Sequence, residues 1–296
     1  MLKRTLFFSN PFSLGLRNQQ IVIKPKGGQE SLSIPIEDVG FLVLEHSQIH
    51  ITLPLIEALI DNNVAVVFCN SKHHPQSMLL NLDSNHMQTE VFRKQINASL
   101  PLKKNLWKQT VEAKLVNQAN CLKLQGEAHS DILAFSRNVK SGDPENREGT
   151  AARIYWPRLF GGGFSRDRFG KPPNNLLNYG YSILRAAVAR ALSGSGLLPT
   201  LGIHHRNKYN AYCLADDIME PYRPFVDRRV LNIYVETGNH SELTKENKAE
   251  LLSVLSDDVL LGKTRRPLMI ALSQTTASLS RCFGGKIKRI NYGILQ

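Results

Sequence analysis

Apolar and polar positions change their period once along the chain. Up to about residue 70 they come in short runs rich in β-branched and aromatic residues: Thr5 to Phe8, Gln20 to Ile23, Leu32 to Ile36, Val39 to Leu44 and Ile49 to Thr52. Ser9-Asn10-Pro11, Gly27-Gly28 and Glu37-Asp38 separate them as turn signals. Five strands at this spacing predict a small sheet or sandwich. Thr52 to Ile60 predicts one short helix with Pro54 in its first turn, and Val64 to Phe68 predicts a buried strand after it.

Residues 70 to 90 lose the strand pattern and carry Ser, Asn, His and Pro, which places a domain boundary there. The adjacent His73 and His74 are expected as loop histidines. Helical spacing then takes over through Leu106, Trp107, Val111, Leu115 and Ala119, closed by Gly126. Ala128 to Val139 predicts a shorter helix. In the next, Asp143 is expected to cap, Pro144 to take the first helical position and Gly161 to follow the last turn, with Glu148 in the opening half. Asn178 to Leu192 predicts a long apolar helix at the centre of the domain, followed by helices near Lys248 to Leu255 and Pro267 to Cys282. The expected architecture is two-domain and mixed: a small N-terminal β-sheet or sandwich domain and a larger all-α catalytic domain. Residues 1–75 form the first, a β-rich dimerisation module whose strand edges need partners. Residues 76–98 form a linker, and residues 99–296 the α-helical catalytic and DNA-binding part.

Charge sharpens this division. The chain of 296 residues carries a net +12. Residues 1–85 hold six Lys or Arg against seven Asp or Glu, a net of −1, so the remainder carries +13 and is the part expected to meet an anionic partner. The four cysteines are far apart with no C-x-x-C pair, which suits a reducing cytoplasm and argues against a zinc knuckle or a disulfide framework. Ser9-Asn10-Pro11 breaks the Leu6-Phe7-Phe8 run too early for a signal peptide, and no stretch approaches the ~20 apolar residues of a membrane span. Gly161-Gly162-Gly163 lacks a following G-K-[ST], so a mobile basic loop is expected there rather than a nucleotide cradle. Lys286 to Arg289 reads as a basic tail.

The chemistry concentrates between Gly196 and Arg229. His204 and His205 end the apolar segment Leu197 to Ile203, Asp216 stands where a helix N-cap would, and Asp217 and Glu220 are three apart, as on one face of a first helical turn. Pro221 and Pro224 fit only near a helix start. Carboxylate oxygen plus imidazole nitrogen suits Mn²⁺, Mg²⁺ or Zn²⁺. A third ligand must come from elsewhere, and Glu148 is the best candidate. Arg147, Arg153 and Arg158 beside it are expected either to contact phosphates or to pair with acids.

Four motifs in order, N-R-E-G-T-A-A-R-x-Y, N-Y-G-Y-S-I-L-R, L-G-I-H-H and L-A-D-D-I-M-E-P-Y-R-P, together with I-P-I-E-D-V near the start, resemble the CRISPR spacer-acquisition integrase, the CRISPR-associated protein one family. The P-Y-R-P form and the chain length look most like members from type II systems. The resemblance implies Glu148, His205 and Glu220 as ligands of Mg²⁺ or Mn²⁺, with Asp217 assisting catalysis. Arg147, Arg206 and Arg223 are then expected against DNA. It implies joining of 3′-hydroxyl DNA ends to a CRISPR repeat by transesterification. The implied partners are double-stranded DNA, a second copy of the chain, and a small dimeric adaptation protein in a heterohexamer. A stand-alone metal-dependent endonuclease or junction resolvase, and a non-catalytic DNA-binding scaffold, are the alternatives.

Overall fold

Two units make up the chain, Met1–Ser84 and Asn85–Gln296. The computed structural model describes residues 3–27, 30–81, 83, 85–238 and 242–296, so Gly28 of the expected Gly27-Gly28 turn, and residues 82 and 84 of the expected linker, lie outside the described residues.

In the first unit the described strands are β1 (Arg4–Phe8), β2 (Phe12–Arg17), β3 (Gln20–Pro25), β4 (Leu32–Pro35), β5 (Val39–Leu44), β6 (His50–Ile51), β7 (Ala65–Cys69) and β8 (Pro75–Leu79), with helix α1 (Leu53–Asp61) between β6 and β7. One sheet has the order β1-β5-β7-β8 and the other β4-β3-β2-β6. β5 and β7 run parallel, joined by a crossover through α1, and β5 is buried at all six positions. A parallel strand covered on both faces has no polar face to show, which is why Val39 to Leu44 is apolar throughout. Leu14, Ile21, Leu42, Leu55, Leu59 and Val66 meet in a core drawn from both sheets and α1.

Two strands here differ from the sequence expectation. β2 was hidden by Pro11 and Gly15, although Phe12, Leu14 and Leu16 alternate correctly. It pairs with β3 through a two-residue turn in which Asn18 and Gln19 both take positive φ, 50° and 57°. That is the backbone of a tight hairpin turn without its usual glycine signal. β8 adds an antiparallel edge to β7 from within the stretch expected as loop and linker. The remainder of that linker contains helix α2 (Gln88–Ile96), fixed by the buried Gln95, whose amide meets Leu198 and Leu201 carbonyls and the Leu198 N–H.

The second unit continues with α3 (Leu100–Leu124), α4 (Ser130–Ser136), α5 (Arg147–Phe160), α6 (Asn174–Gly194), α7 (Cys213–Met219), α8 (Arg223–Glu236), α9 (Lys245–Ser253) and α10 (Leu268–Phe283), with a 3₁₀ turn at Glu220–Tyr222. It is mostly helical rather than all-α. β9 (Asp258–Leu261) and β10 (Thr264–Pro267) form a hairpin, turned at Gly262 with φ 64°. α6 is buried at most positions from Asn174 to Leu192 and packs against α7, α8, α9 and α10. Among the described residues no helix is long and apolar enough to cross a membrane.

The chain beyond the basic residues 286–289 is not a loose tail. Asn117 of α3 donates to the carbonyls of Pro221 (2.6 Å) and Gly293 (2.9 Å) and accepts from the Leu295 N–H (3.0 Å). The Gly293 N–H donates to the Tyr222 hydroxyl at 3.0 Å. A methyl group at 293 would stand 2.2 Å from Val259 Cγ1, so only glycine fits. Gly293→Ala is expected to cost about 1–3 kcal/mol in urea unfolding with an unchanged m value; an unshifted midpoint would mean that the segment does not bind α3 in solution.

Candidate active site

Glu148 owes its position to an unusual helix start. α5 begins at Arg147, three residues after the expected Pro144. Its N-cap Asn146 is left-handed (φ 49°) and accepts from the Gly149 N–H at 3.1 Å. Asp143 still caps, but from outside, accepting the Arg147 and Glu148 N–H groups at 2.9 and 3.1 Å. The first turn's unpaired donors are thus satisfied by two side chains. A Cβ at Gly149 would lie 2.7 Å from the Asn146 amide, so the glycine that weakens the helix makes room for its cap. Pro157 does not shorten the helix, which runs to Phe160 and ends at Gly161 with φ 93°.

Asp216 and Asp217 are also placed differently from the expectation. α7 starts at Cys213, so neither aspartate is an N-cap. Asp216 accepts from Arg185 Nε of α6 (2.6 Å) and from the Asn210 amide (2.7 Å). Asp217 is fully buried. One of its oxygens accepts the backbone N–H groups of Ile203 (2.7 Å) and His204 (3.0 Å), and the other that of His205 (3.2 Å) and sits 2.6 Å from His205 Nδ1. The loop must curl tightly to reach it, and Gly202 permits this: a Cβ there would meet His205 O at 2.4 Å and Asp217 Oδ2 at 2.7 Å. Asp217 therefore fixes the His205 ring with Nε2 pointing away from the carboxylate. That hydrogen bond also raises the His205 pKa. His204 goes the other way, lowered chiefly by partial burial, with its ring stacked on Trp107 of α3 at 4.1 Å and 4°.

Glu220 opens the 3₁₀ turn ahead of α8, and Pro221 and Pro224 occupy first-turn positions as expected. Its carboxylate meets a residue that the sequence reading passed over. Lys114 of α3 places Nζ 2.5 Å from Glu220 Oε2 and 2.5 Å from Glu148 Oε1, with its side chain 10% exposed. Burial opposes the charge on Lys114, yet the two carboxylates outweigh it and raise its pKa. Burial likewise opposes the charge on Glu220, but Arg223 and Lys114 bring it down to about 2. Arg223, expected against DNA, instead has Nε 2.8 Å from Glu220 Oε1 and its guanidinium 4.5 Å over the ring of Tyr181. The signal for Lys114 was its position, seven after Trp107 and three after Val111, a charge on the buried stripe of α3.

Glu148 and Glu220 thus converge on one cationic centre, two helical turns from Trp107 along the same face of α3. Their negative charge also reaches His205. Among the described residues no three His, Cys, Asp or Glu side chains stand close enough to hold a metal ion, so His205 is beside the carboxylate pair and not gathered into it. Arg206 is exposed in the loop after His205, with Lys208 and Tyr209. Arg147 pairs with Glu145, and Arg158 makes a bidentate pair with Asp131 at 2.7 and 2.8 Å. The glycine-rich loop, expected to be mobile, is tied to α6: Arg166 donates to Asn174 and Asn178, and Asn174 donates to the Ser165 and Lys171 carbonyls.

Behind Arg223 lies a second buried network. The Tyr155 hydroxyl donates to Asp227 at 2.8 Å, and Tyr181 donates to the other oxygen of Asp227. Burial pushes the Asp227 carboxyl up to about 6, against the pull of both tyrosines and Arg223.

Residues 6–260 match the family described as CRISPR associated protein Cas1. A curated relative from Neisseria meningitidis serogroup C, a CRISPR-associated endonuclease Cas1, is 35% identical over 280 residues, covering 94% of this chain and 91% of that protein. Among solved structures, a casposase bound to integration product superposes with TM-score 0.80 at 20% identity, over 98% of this chain and 93% of its own. The chain of a Cas6-RT-Cas1–Cas2 complex gives TM-score 0.72 at 18% identity, with 99% of this chain matching 36% of that longer one.

An acid whose folded pKa is raised contributes stability that is fully present below its unfolded value near 3.8 and lost as pH rises through about 6. The stability difference between the parent and Asp227→Asn, from urea melts, is therefore expected to shift against the parent by about 2 kcal/mol between pH 4 and pH 7. A difference independent of pH would mean that Asp227 is ionised throughout.

Proposed function

The chain belongs to the CRISPR associated protein Cas1 family, and from that premise we propose that it is a metal-dependent DNA integrase that inserts short foreign DNA fragments into a CRISPR array as part of antiviral defence. Its curated relatives are named endonucleases, and phosphodiester chemistry is common to both descriptions. The observation that carries the proposal is the meeting of Glu148 and Glu220, from elements 72 positions apart in the chain, at one cationic centre beside an imidazole of fixed orientation.

The donor set fits a hard divalent cation. Two carboxylates that already share a cation offer oxygen, and His205 Nε2 offers nitrogen, the combination that suits Mg²⁺ or Mn²⁺ with positions left for substrate. Glu148, Glu220 and His205 would hold the ion. When bound, it would supply a Lewis acid for the scissile phosphate and for the charge that builds on its oxygens. The remaining work belongs to the chain. Asp217 keeps the imidazole tautomer with Nδ1 occupied, and Lys114 and Arg223 keep Glu220 ionised. Exposed Arg206 and Lys208 lie where a phosphate backbone would approach, as does Arg147 beside Glu148. The incoming 3′-hydroxyl oxygen forms a bond to phosphorus as the target's P–O3′ bond breaks. The proton lost by the incoming hydroxyl is balanced by the one gained by the departing 3′-oxygen. The number of phosphodiesters is unchanged, so no nucleotide cofactor is needed.

The excess of positive charge in residues 86–296 supports binding of double-stranded DNA, the fragment and the repeat alike, largely through sequence-neutral contacts. The near-neutral first unit, with Leu32 of edge strand β4 64% exposed, is the surface through which two copies would associate. The related chain from a complex with Cas2 supports a Cas2-like partner; a small dimeric protein would bridge two such dimers into a heterohexamer, working in the cytoplasm where the array lies.

The test is a strand-transfer assay with Mn²⁺, 3′-hydroxyl duplex fragments, a supercoiled plasmid carrying the repeat, and the partner protein. The parent is expected to join fragments, and Glu148→Ala and Glu220→Ala to lose joining by about a thousandfold or more while DNA affinity stays within a few fold. Cleavage without joining would identify a stand-alone nuclease or resolvase, and binding alone a scaffold. Either variant joining at the parent rate would refute the ligand assignment.

A further inference from the structure

Every oxygen of Glu220 is already engaged by a cation. Oε2 is 2.5 Å from Lys114 Nζ and Oε1 is 2.8 Å from Arg223 Nε, while the same Lys114 Nζ holds Glu148 Oε1 at 2.5 Å. The two cations differ in freedom. Arg223 is clamped between Glu220 and the face of Tyr181, and Tyr181 is itself tied to the buried Asp227. Lys114 hangs from α3 on a flexible four-carbon stem that ends in a compact charge with three rotatable donors. An ammonium and a divalent ion cannot use the same pair of carboxylate oxygens at full strength, because their like charges repel strongly in a site this dry. Of the two side chains, Lys114 is the one that can yield, and it needs a new anion when it does.

We propose that Lys114 is a tethered counter-cation: it occupies the Glu148–Glu220 pair until a divalent ion loads, and a DNA phosphate then receives its ammonium, so that metal loading and DNA binding are coupled. This rests on the reading that the two glutamates hold the metal. In the absence of DNA the lysine occupies the carboxylate pair and weakens metal binding, which limits stray phosphodiester cleavage. A phosphate beside the pair stabilises the displaced ammonium and lowers the cost of loading the metal. By linkage, the metal tightens DNA binding by the same factor.

Mn²⁺ binding to the full chain, followed by the loss of the free-ion EPR signal with and without a short 3′-hydroxyl duplex, tests this. The duplex is expected to tighten Mn²⁺ binding to the parent by about fivefold or more. Lys114→Met is expected to bind Mn²⁺ about tenfold tighter without duplex and to lose the duplex effect. Mn²⁺ binding by both proteins with no gain in Lys114→Met overturns the inference and leaves the metal site standing. Binding by neither overturns the metal site and the inference with it. Acylation of Lys114 in the parent, read by mass spectrometry, gives a second answer that does not depend on the variant folding. Its reactivity is expected to rise about fivefold or more at saturating Mn²⁺, and unchanged reactivity overturns the inference.

Discussion

A single buried ammonium organises the second unit. Lys114 joins α3 to the first turn of α5 and to the turn before α8, and its charge is tolerable there only because two carboxylates share it. The same dependence runs in reverse. Glu148 and Glu220 come from separate segments, α5 and the turn before α8, and without a cation between them they would repel. One turn along the helix, Asn117 holds the Pro221 carbonyl and the returning C-terminal segment, so α3 fixes both the charge and the backbone of the Glu220 turn. The proposed cation-binding site rests on this arrangement rather than on any one ligand.

The imidazole is fixed by separate means. Asp217 gathers three successive backbone N–H groups and the His205 ring, so the loop from Gly202 to His205 folds around a buried carboxylate. Trp107 stacks on His204 and meets His205 edge-on, which ties this loop to α3 as well. Arg223 then links Glu220 to Tyr181 and, through it, to Asp227. His205 and Glu220, which would touch the metal, are thus held by Asp217 and Arg223, which would not, the usual requirement for a site whose electrostatics are set in advance.

Much of this was legible in the sequence, and the exceptions have physical reasons. The strands β1, β3, β5 and β7 and the long helices carry strong periodicity, and Glu148, His205, Asp217 and Glu220 stand in motifs specific enough to single out. β2 was missed because its hairpin turn uses Asn18-Gln19 instead of a glycine, and β8 because it opens on Pro75 at an edge where few side chains need to be apolar. The start of α5 was misplaced because Asp143 caps it from four residues before its first residue, an arrangement that local capping rules do not describe. Asp217 was expected to assist at the site, and its hydrogen bonds all go to the loop that carries His205. Lys114 and Arg223 lie beyond local reading altogether: their roles depend on partners 34 to 106 positions away or on a stacked ring, and only a charge on an apolar stripe hinted at the first.

The most direct measurement is a crystal structure of the chain grown with Mn²⁺, read by its anomalous scattering. The account predicts one strong peak bound by the carboxylates of Glu148 and Glu220 and by His205 Nε2, with Lys114 moved off the pair. A peak elsewhere, or none with Lys114 still bridging the two glutamates at saturating Mn²⁺, would contradict it.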